Sequence, residues 1–272
     1  MLNELGLNKR LTIGLSIIYL SLMIVANGAG AFFTEWVYPV ATPYYLAALV
    51  PQDYANLLFI MPLFIISIFL MFKGSKVGFI LYSGILLFYS YISFTYCFTI
   101  AANHLFLVYI ILLGLSIYQT GILLITIKQN VFSSWFSEKG EKRFFIYLLV
   151  VGIFFITYWL VTSMPIVIFG KLAESEVRSG FNTSPFHIFD LGIFFPLFII
   201  SAFLIRKGNS YGHLLGSMML IFTLVMSSSL FMEMIFIYLS GQGLELPFLT
   251  LFGLLAFISL WMTLSNFKRI RN

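Results

Sequence analysis

Eight long runs of mostly apolar residues, separated by short polar segments, leave this chain few folds to choose from. A helix needs about 20 such residues, with about 17–25 the working range, to cross a bilayer. In hydrocarbon every backbone N–H and C=O must be paired within the segment, which helices do by themselves. The runs are Leu11 to Phe33, Asn56 to Phe72, Val77 to Ile100, Leu105 to Ile127, Phe144 to Phe169, Ile188 to Ile205, Gly212 to Leu239 and Pro247 to Phe267. Only Ala101-Ala102-Asn103-His104 parts the third run from the fourth, and the fifth and seventh are long enough to tilt or protrude. Apolar residues make up 61% of the chain and charged ones 9%. Soluble domains carry about 45–50% and about 25%, so water is not the main solvent here.

Orientation is read from lysine and arginine, which concentrate in short cytoplasmic loops. With the N-terminus inside, all 15 basic residues except Lys171 and Arg178 fall on the cytoplasmic side, and every even-numbered span ends in a basic turn. The net charge of +5 is therefore a topology signal, aided by anionic lipid, and gives no reason to expect nucleic acid. The single cysteine, Cys97, excludes an intrachain disulfide and a thiolate metal cluster. Ala26-Asn27-Gly28-Ala29 imitates a signal-peptide cleavage site, but the first run is longer than a signal-peptide core and is expected to be retained as a helix.

Met61 to Gly84 and Phe195 to Met218 align without gaps at an offset of 134, and both contain Pro-Leu-Phe-Ile-Ile-Ser, at 62–67 and 196–201. The match continues through a polar turn, Lys73-Gly74 against Lys207-Gly208, where apolar bias cannot produce it. The offset carries span two onto span six in the same orientation, which describes a parallel repeat about an axis along the membrane normal. The expected fold is an all-α polytopic membrane helix bundle of about eight transmembrane helices, arranged as two parallel four-helix repeats with both termini cytoplasmic. Residues 1–130 form the first repeat, 131–143 a cytoplasmic linker and 144–272 the second.

Several of these segments carry a further likeness. Pro51-Gln52-Asp53 through Pro62, Lys73-Gly74-Ser75, Tyr89 to Tyr91 and Asn103-His104-Leu105-Phe106-Leu107-Val108-Tyr109 form one block, and His187 through Pro196 with Arg206-Lys207 and Tyr211-Gly212 a second. Together they resemble an uncharacterised family of prokaryotic multi-spanning membrane proteins, with His104 where that family has proline. The resemblance implies the topology and carries no activity.

Ionisable side chains inside a span cost about 2.5–3.5 kcal/mol at a helix centre and are functional candidates for that reason. Asp190 lies near the outer start of span six with His187 three residues earlier on the same face. Glu233 lies six residues before the outer end of span seven, about 9 Å down the helix, with Ser229 one turn away as a possible hydroxyl partner. Asp53, Asn56, Asn103 and His104 gather at the same depth, and the offset of 134 sets Asn56 on Asp190 and Asp53 on His187. Asp53, His104, His187, Asp190 and Glu233 thus outline an outer-leaflet polar or ion site.

Simpler readings stand beside this one. Asp190 could cap the N-terminus of span six, His104 and His187 could be interfacial, and Glu233 could be protonated within the bundle. Tyr82, Tyr89, Ser93 and Tyr96 share a face of span three, more readily a packing seam than a cavity wall. Gly28, Gly30 and three span prolines would allow close packing or bending. No P-loop, His-Glu-x-x-His or Cys-x-x-Cys motif occurs, so no cofactor is indicated. The partners expected are the lipid bilayer and a small solute or ion. Transport in a cell membrane leads, with a non-transporting interaction or sensory module and a metal-dependent intramembrane enzyme built on His187, Asp190 and Glu233 as alternatives.

Overall fold

A computed structural model describes residues 1–137, 141–239, 241 and 246–270. Among these residues eight helices are long and apolar enough to cross a membrane: α1 Lys9–Phe32, α2 Pro43–Phe72, α3 Lys76–Thr99, α4 Phe106–Thr126, α5 Lys142–Phe169, α6 Pro185–Arg206, α7 Ser210–Leu239 and α8 Leu246–Phe267. The chain is an all-α, multi-pass membrane protein. Lys139 and Arg271, which contribute to the charge bias, lie outside the described residues, as does part of the linker. Faces rich in exposed Ile, Leu, Val and Phe, such as Ile17, Ile18, Ile24 and Val25 of α1, meet the lipid.

Two helices begin earlier than the apolar runs do. The second was expected from Asn56 and the sixth from Ile188, whereas α2 starts at Pro43 and α6 at Pro185. Proline suits the first turn of a helix, where its missing N–H has no intrahelical partner, and Thr42 caps α2 by accepting the Tyr45 N–H at 3.2 Å. The stretch from Pro43 to Ala55 carries tyrosines, Gln52 and Asp53, so it looks like a loop by hydropathy. It is helical because those polar groups are paired inside the bundle. Asp53 and Asn56 therefore sit within a helix rather than at its mouth.

Each of these helices widens into one π-helical turn, Asn56–Ile60 in α2 and Asp190–Phe194 in α6, again 134 residues apart. Pro62 and Pro196 follow at once. A proline inside a helix donates no hydrogen bond and crowds the carbonyl one turn earlier, and a locally widened turn is one way a helix accommodates this. The basic turns at the other ends of α2 and α6 also match. Gly74 and Gly208 adopt φ of 84° and 66°, the left-handed region that glycine enters without steric cost. Four residues later, a Cβ on Gly78 would lie 2.5 Å from Leu70 Cβ, and one on Gly212 2.5 Å from the Ile205 nitrogen. Only glycine lets each hairpin close so tightly.

α3 is the most buried span. It packs between α2 and α4 and, across the molecule, against α7, crossing at Gly84, where any Cβ would run into the Ile221 side chain. Small residues at helix crossings bring backbones close together in lipid. The tyrosines of α3 form the expected packing seam. Tyr82 and Gln119 of α4 meet Ser16 of α1 at 3.0 and 3.2 Å, and Ser93 meets the Tyr19 hydroxyl at 2.7 Å.

The first four helices close on one another, α1 packing against both α2 and α4. The last four do not. α5 packs on α6, α6 on α7 and α7 on α8, while α5 and α8 scarcely touch.

Candidate functional site

α2 and α3 of the first four helices and all of the last four surround a cavity of about 310 Å³, at the lower edge of the range usual for small-molecule sites, about 300–1,000 Å³. Its walls are mostly aromatic and aliphatic. Tyr45 and Leu49 come from α2, Tyr91 and Tyr96 from α3, Phe155 and Trp159 from α5, Phe195 and Phe198 from α6, Phe222 and Met226 from α7, and Phe252 and Leu255 from α8. Helical spacing explains the selection: 45, 48, 49 and 52 share one face of α2, and 248, 251, 252 and 255 one face of α8. The cavity extends along α7 from Glu233 to Phe222, about 16 Å at 1.5 Å per residue. It thus begins near the end away from the basic turns and reaches well into the bundle.

Among the described residues two carboxyl groups line it, Asp190 and Glu233. Asp190 is buried, accepts the Trp159 indole N–H at 2.7 Å and lies near the Tyr91 hydroxyl. It sits in the π-helical turn, five residues past Pro185, and its side chain caps no helix end. Glu233 differs. Among the described residues no hydrogen-bond donor or cation meets its carboxyl. The expected Ser229 hydroxyl is turned instead to Gln52, donating to Oε1 at 3.0 Å. A carboxyl at membrane depth, facing a cavity with no partner among the described residues, is available to a ligand or a proton.

Asp53 belongs to a different environment. It is fully buried and takes the Tyr38 hydroxyl on Oδ2 and the Tyr96 hydroxyl on Oδ1, each at 2.7 Å. The Tyr96 oxygen also lies 2.8 Å from Asn27 Oδ1 and accepts from Asn56 Nδ2 at 3.1 Å. Asn56 donates to Asn27 at 2.8 Å and accepts from Gln52 Nε2 at 3.2 Å. The carboxyl rests directly against Gly30 of α1, where a Cβ would overlap Asp53 Oδ2, whereas Gly28 faces open space. Burial and the neighbouring Asp53 carboxyl hold the Tyr38 hydroxyl well above the ordinary tyrosine pKa, so it stays a neutral donor. The network touches the cavity at Tyr96 and Gln52, but Asp53 itself is behind that wall.

His187 lies one turn from Asp190, as the spacing predicts, but not on the cavity wall. Its ring packs against Trp159 at 4.2 Å, its Nε2 is 3.0 Å from Thr162 Oγ1, and its Nδ1 is 3.1 Å from Glu176 and in contact with Ser184. These contacts fasten the connection between α5 and α6 onto the bundle. That connection also reaches α2, where Thr42 donates to the Arg178 carbonyl at 2.8 Å and Phe181 packs on Tyr45 at 4.8 Å. His104 stands apart, exposed and stacked on Trp36 at 4.8 Å. The five predicted residues therefore divide: Asp190 and Glu233 share the cavity, Asp53 and His187 flank it, and His104 is elsewhere. Among the described residues no three His, Cys, Asp or Glu side chains form a metal-binding group, so His187, Asp190 and Glu233 do not supply the ligand set of the metal-enzyme alternative.

Gln52, Tyr91 and Trp159 were not singled out from the sequence as site residues. Gln52 had a signal, a carboxamide next to Asp53 in a helix otherwise apolar. Trp159 had a weaker one, an indole N–H inside a span, where it must find an acceptor. With this geometry described, comparison with family models, curated proteins and solved structures yields no match.

Proposed function

We propose that the chain carries a small organic solute across a cell membrane, using the cavity between α2, α3 and the last four helices as its binding site. The observation that carries this is the unpartnered Glu233 carboxyl on the wall of an otherwise apolar cavity. A structural carboxyl at membrane depth is expected to be paired with a neighbour, as Asp53 is. The matching segments 134 residues apart, which share Pro-Leu-Phe-Ile-Ile-Ser and Lys-Gly, add support, since internal repeats of the parallel kind build transporters with a site where the halves meet. Under the positive-inside rule the carboxyl end of the cavity faces outward. Glu233, with Asp190 beside the solute, would exchange a proton for it and so couple the two movements.

The test is proton movement in proteoliposomes loaded with a pH-sensitive dye and challenged with a panel of small organic solutes. At least one solute should drive a protein-dependent proton flux that falls tenfold or more in Glu233→Gln. Fluxes unchanged in both Glu233→Gln and Asp190→Asn would remove these residues from the mechanism. Absence of any solute-driven flux would defeat the transport reading.

A further inference from the structure

α5 and α8 each contribute a stripe to the cavity wall, Val151 and Phe155 on one and Leu251, Phe252 and Leu255 on the other. Among the described residues one hydrogen bond and one ring contact join them, one near each end. The Tyr147 and Ser259 hydroxyls are 2.7 Å apart toward the basic turns, and the Tyr158 and Phe248 rings lie edge to face at 6.4 Å toward the opposite end. Between these contacts the two stripes face each other across a seam, with lipid-exposed Val150, Phe154, Leu254 and Ile258 on the outer surface. The helices at the same places in the first half, α1 and α4, pack together and close their side. Among the described residues the seam is therefore a side of the cavity where helix packing is sparse between it and hydrocarbon.

What the cavity would retain follows from its lining. Aromatic faces attract a cation through their quadrupoles, the two acidic groups add opposite charge, and the remaining aliphatic surface takes hydrocarbon. From these features we infer that the ligand is an amphipathic organic cation that enters from the bilayer through the seam between α5 and α8, its charged group drawn to Glu233 and Asp190. This rests on the reading of the cavity as a solute site and adds the chemical class and the route.

The full-length protein in lipid nanodiscs, with octyl-, decyl- and dodecyltrimethylammonium as probes and dodecanol as the neutral counterpart, separates these points. Binding is followed by stopped-flow tryptophan fluorescence, Trp159 lying on the cavity wall. The cations should bind saturably, dodecanol at least tenfold more weakly, and Glu233→Gln should lose the preference for charge while keeping its thermal unfolding profile. Entry from the bilayer makes the apparent association rate follow partitioning, so it should rise about fourfold for each added methylene, the factor corresponding to about 0.8 kcal/mol. Saturable binding with a rate independent of chain length overturns the lateral route and leaves the cavity reading intact. Equal binding of dodecanol, or full charge preference in Glu233→Gln, overturns the cation assignment. No saturable binding of cation or alcohol overturns the cavity reading and this inference together.

Discussion

The π-helical turns at Asn56 and Asp190 have the same backbone form and serve opposite ends. Around Asn56 the widened turn of α2 is surrounded by partners. Asn27, Gln52, Asp53 and Tyr96 bond to one another, and α1 closes over them with Gly30 against the carboxyl. Around Asp190 the same turn in α6 is met by the Trp159 indole, with the Tyr91 hydroxyl nearby, but the cavity lies beyond it, and among the described residues no donor meets Glu233 on its wall. The difference lies in the outer helices. α1 and α4 pack together, α5 and α8 do not, and the side that fails to close leaves the cavity. A polar group is structural where the bundle seals over it and chemical where the bundle leaves room.

If so, the carboxyls should respond differently to substitution. Asp53→Ala strands the buried Tyr38 hydroxyl donor, at about 1–3 kcal/mol, takes from Tyr96 one of its two acceptors, and leaves a cavity in the closed part of the bundle. Its thermal unfolding midpoint in detergent should fall the most of all the variants considered. An unchanged midpoint would mean that the closed half is not held by this network. Gly30→Ala pushes a methyl into the Asp53 carboxyl and should cost about 1–3 kcal/mol through overpacking. Gly28→Ala, one residue pair earlier and facing open space, should be neutral or gain up to about 1 kcal/mol from helix propensity. Equal midpoints for the two alanine variants would contradict the close approach at Gly30.

Glu233→Gln inverts the pattern, with a tenfold or greater loss of cation binding or solute-driven proton flux and no loss of stability. Were it to unfold as readily as Asp53→Ala, the two halves would not differ in kind. Ser229→Ala should have the smallest effect among the variants that lose stability, about 0.6 kcal/mol, the average for a hydrogen bond within a membrane protein. It removes the hydroxyl that holds Gln52 from the second half, so its effect on binding should exceed its effect on the unfolding midpoint.

Much of the fold was legible in the sequence because apolar length and basic turns report directly on the bilayer. The eight spans, the break at Ala101 to His104 and the packing seam of α3 all follow from local patterns. The starts of α2 and α6 did not, since a stretch such as Pro43 to Ala55 is read as a loop until its polar residues are known to be paired within the bundle. Of the site, Asp190 and Glu233 could be named from the rarity of charge inside a span. Whether each was paired could not, because Trp159 and Tyr91 are far from Asp190 in sequence and meet it only after α3, α5 and α6 have packed. His104 shows the converse, sharing the depth of the other polar residues and lying elsewhere around the bundle.

The two tight basic turns also set where the molecule can bend. With Gly78 and Gly212 pressed against the preceding helices, the α2–α3 and α6–α7 hairpins are clamped at their roots, and the first is tied near its tip as well, through Tyr96 to Asp53 and Asn56. In the second hairpin a small angular change at the root becomes its largest displacement at the tip, where Asp190 and Glu233 sit. Leverage of this kind would widen or narrow the carboxyl end of the cavity while the basic end stays still.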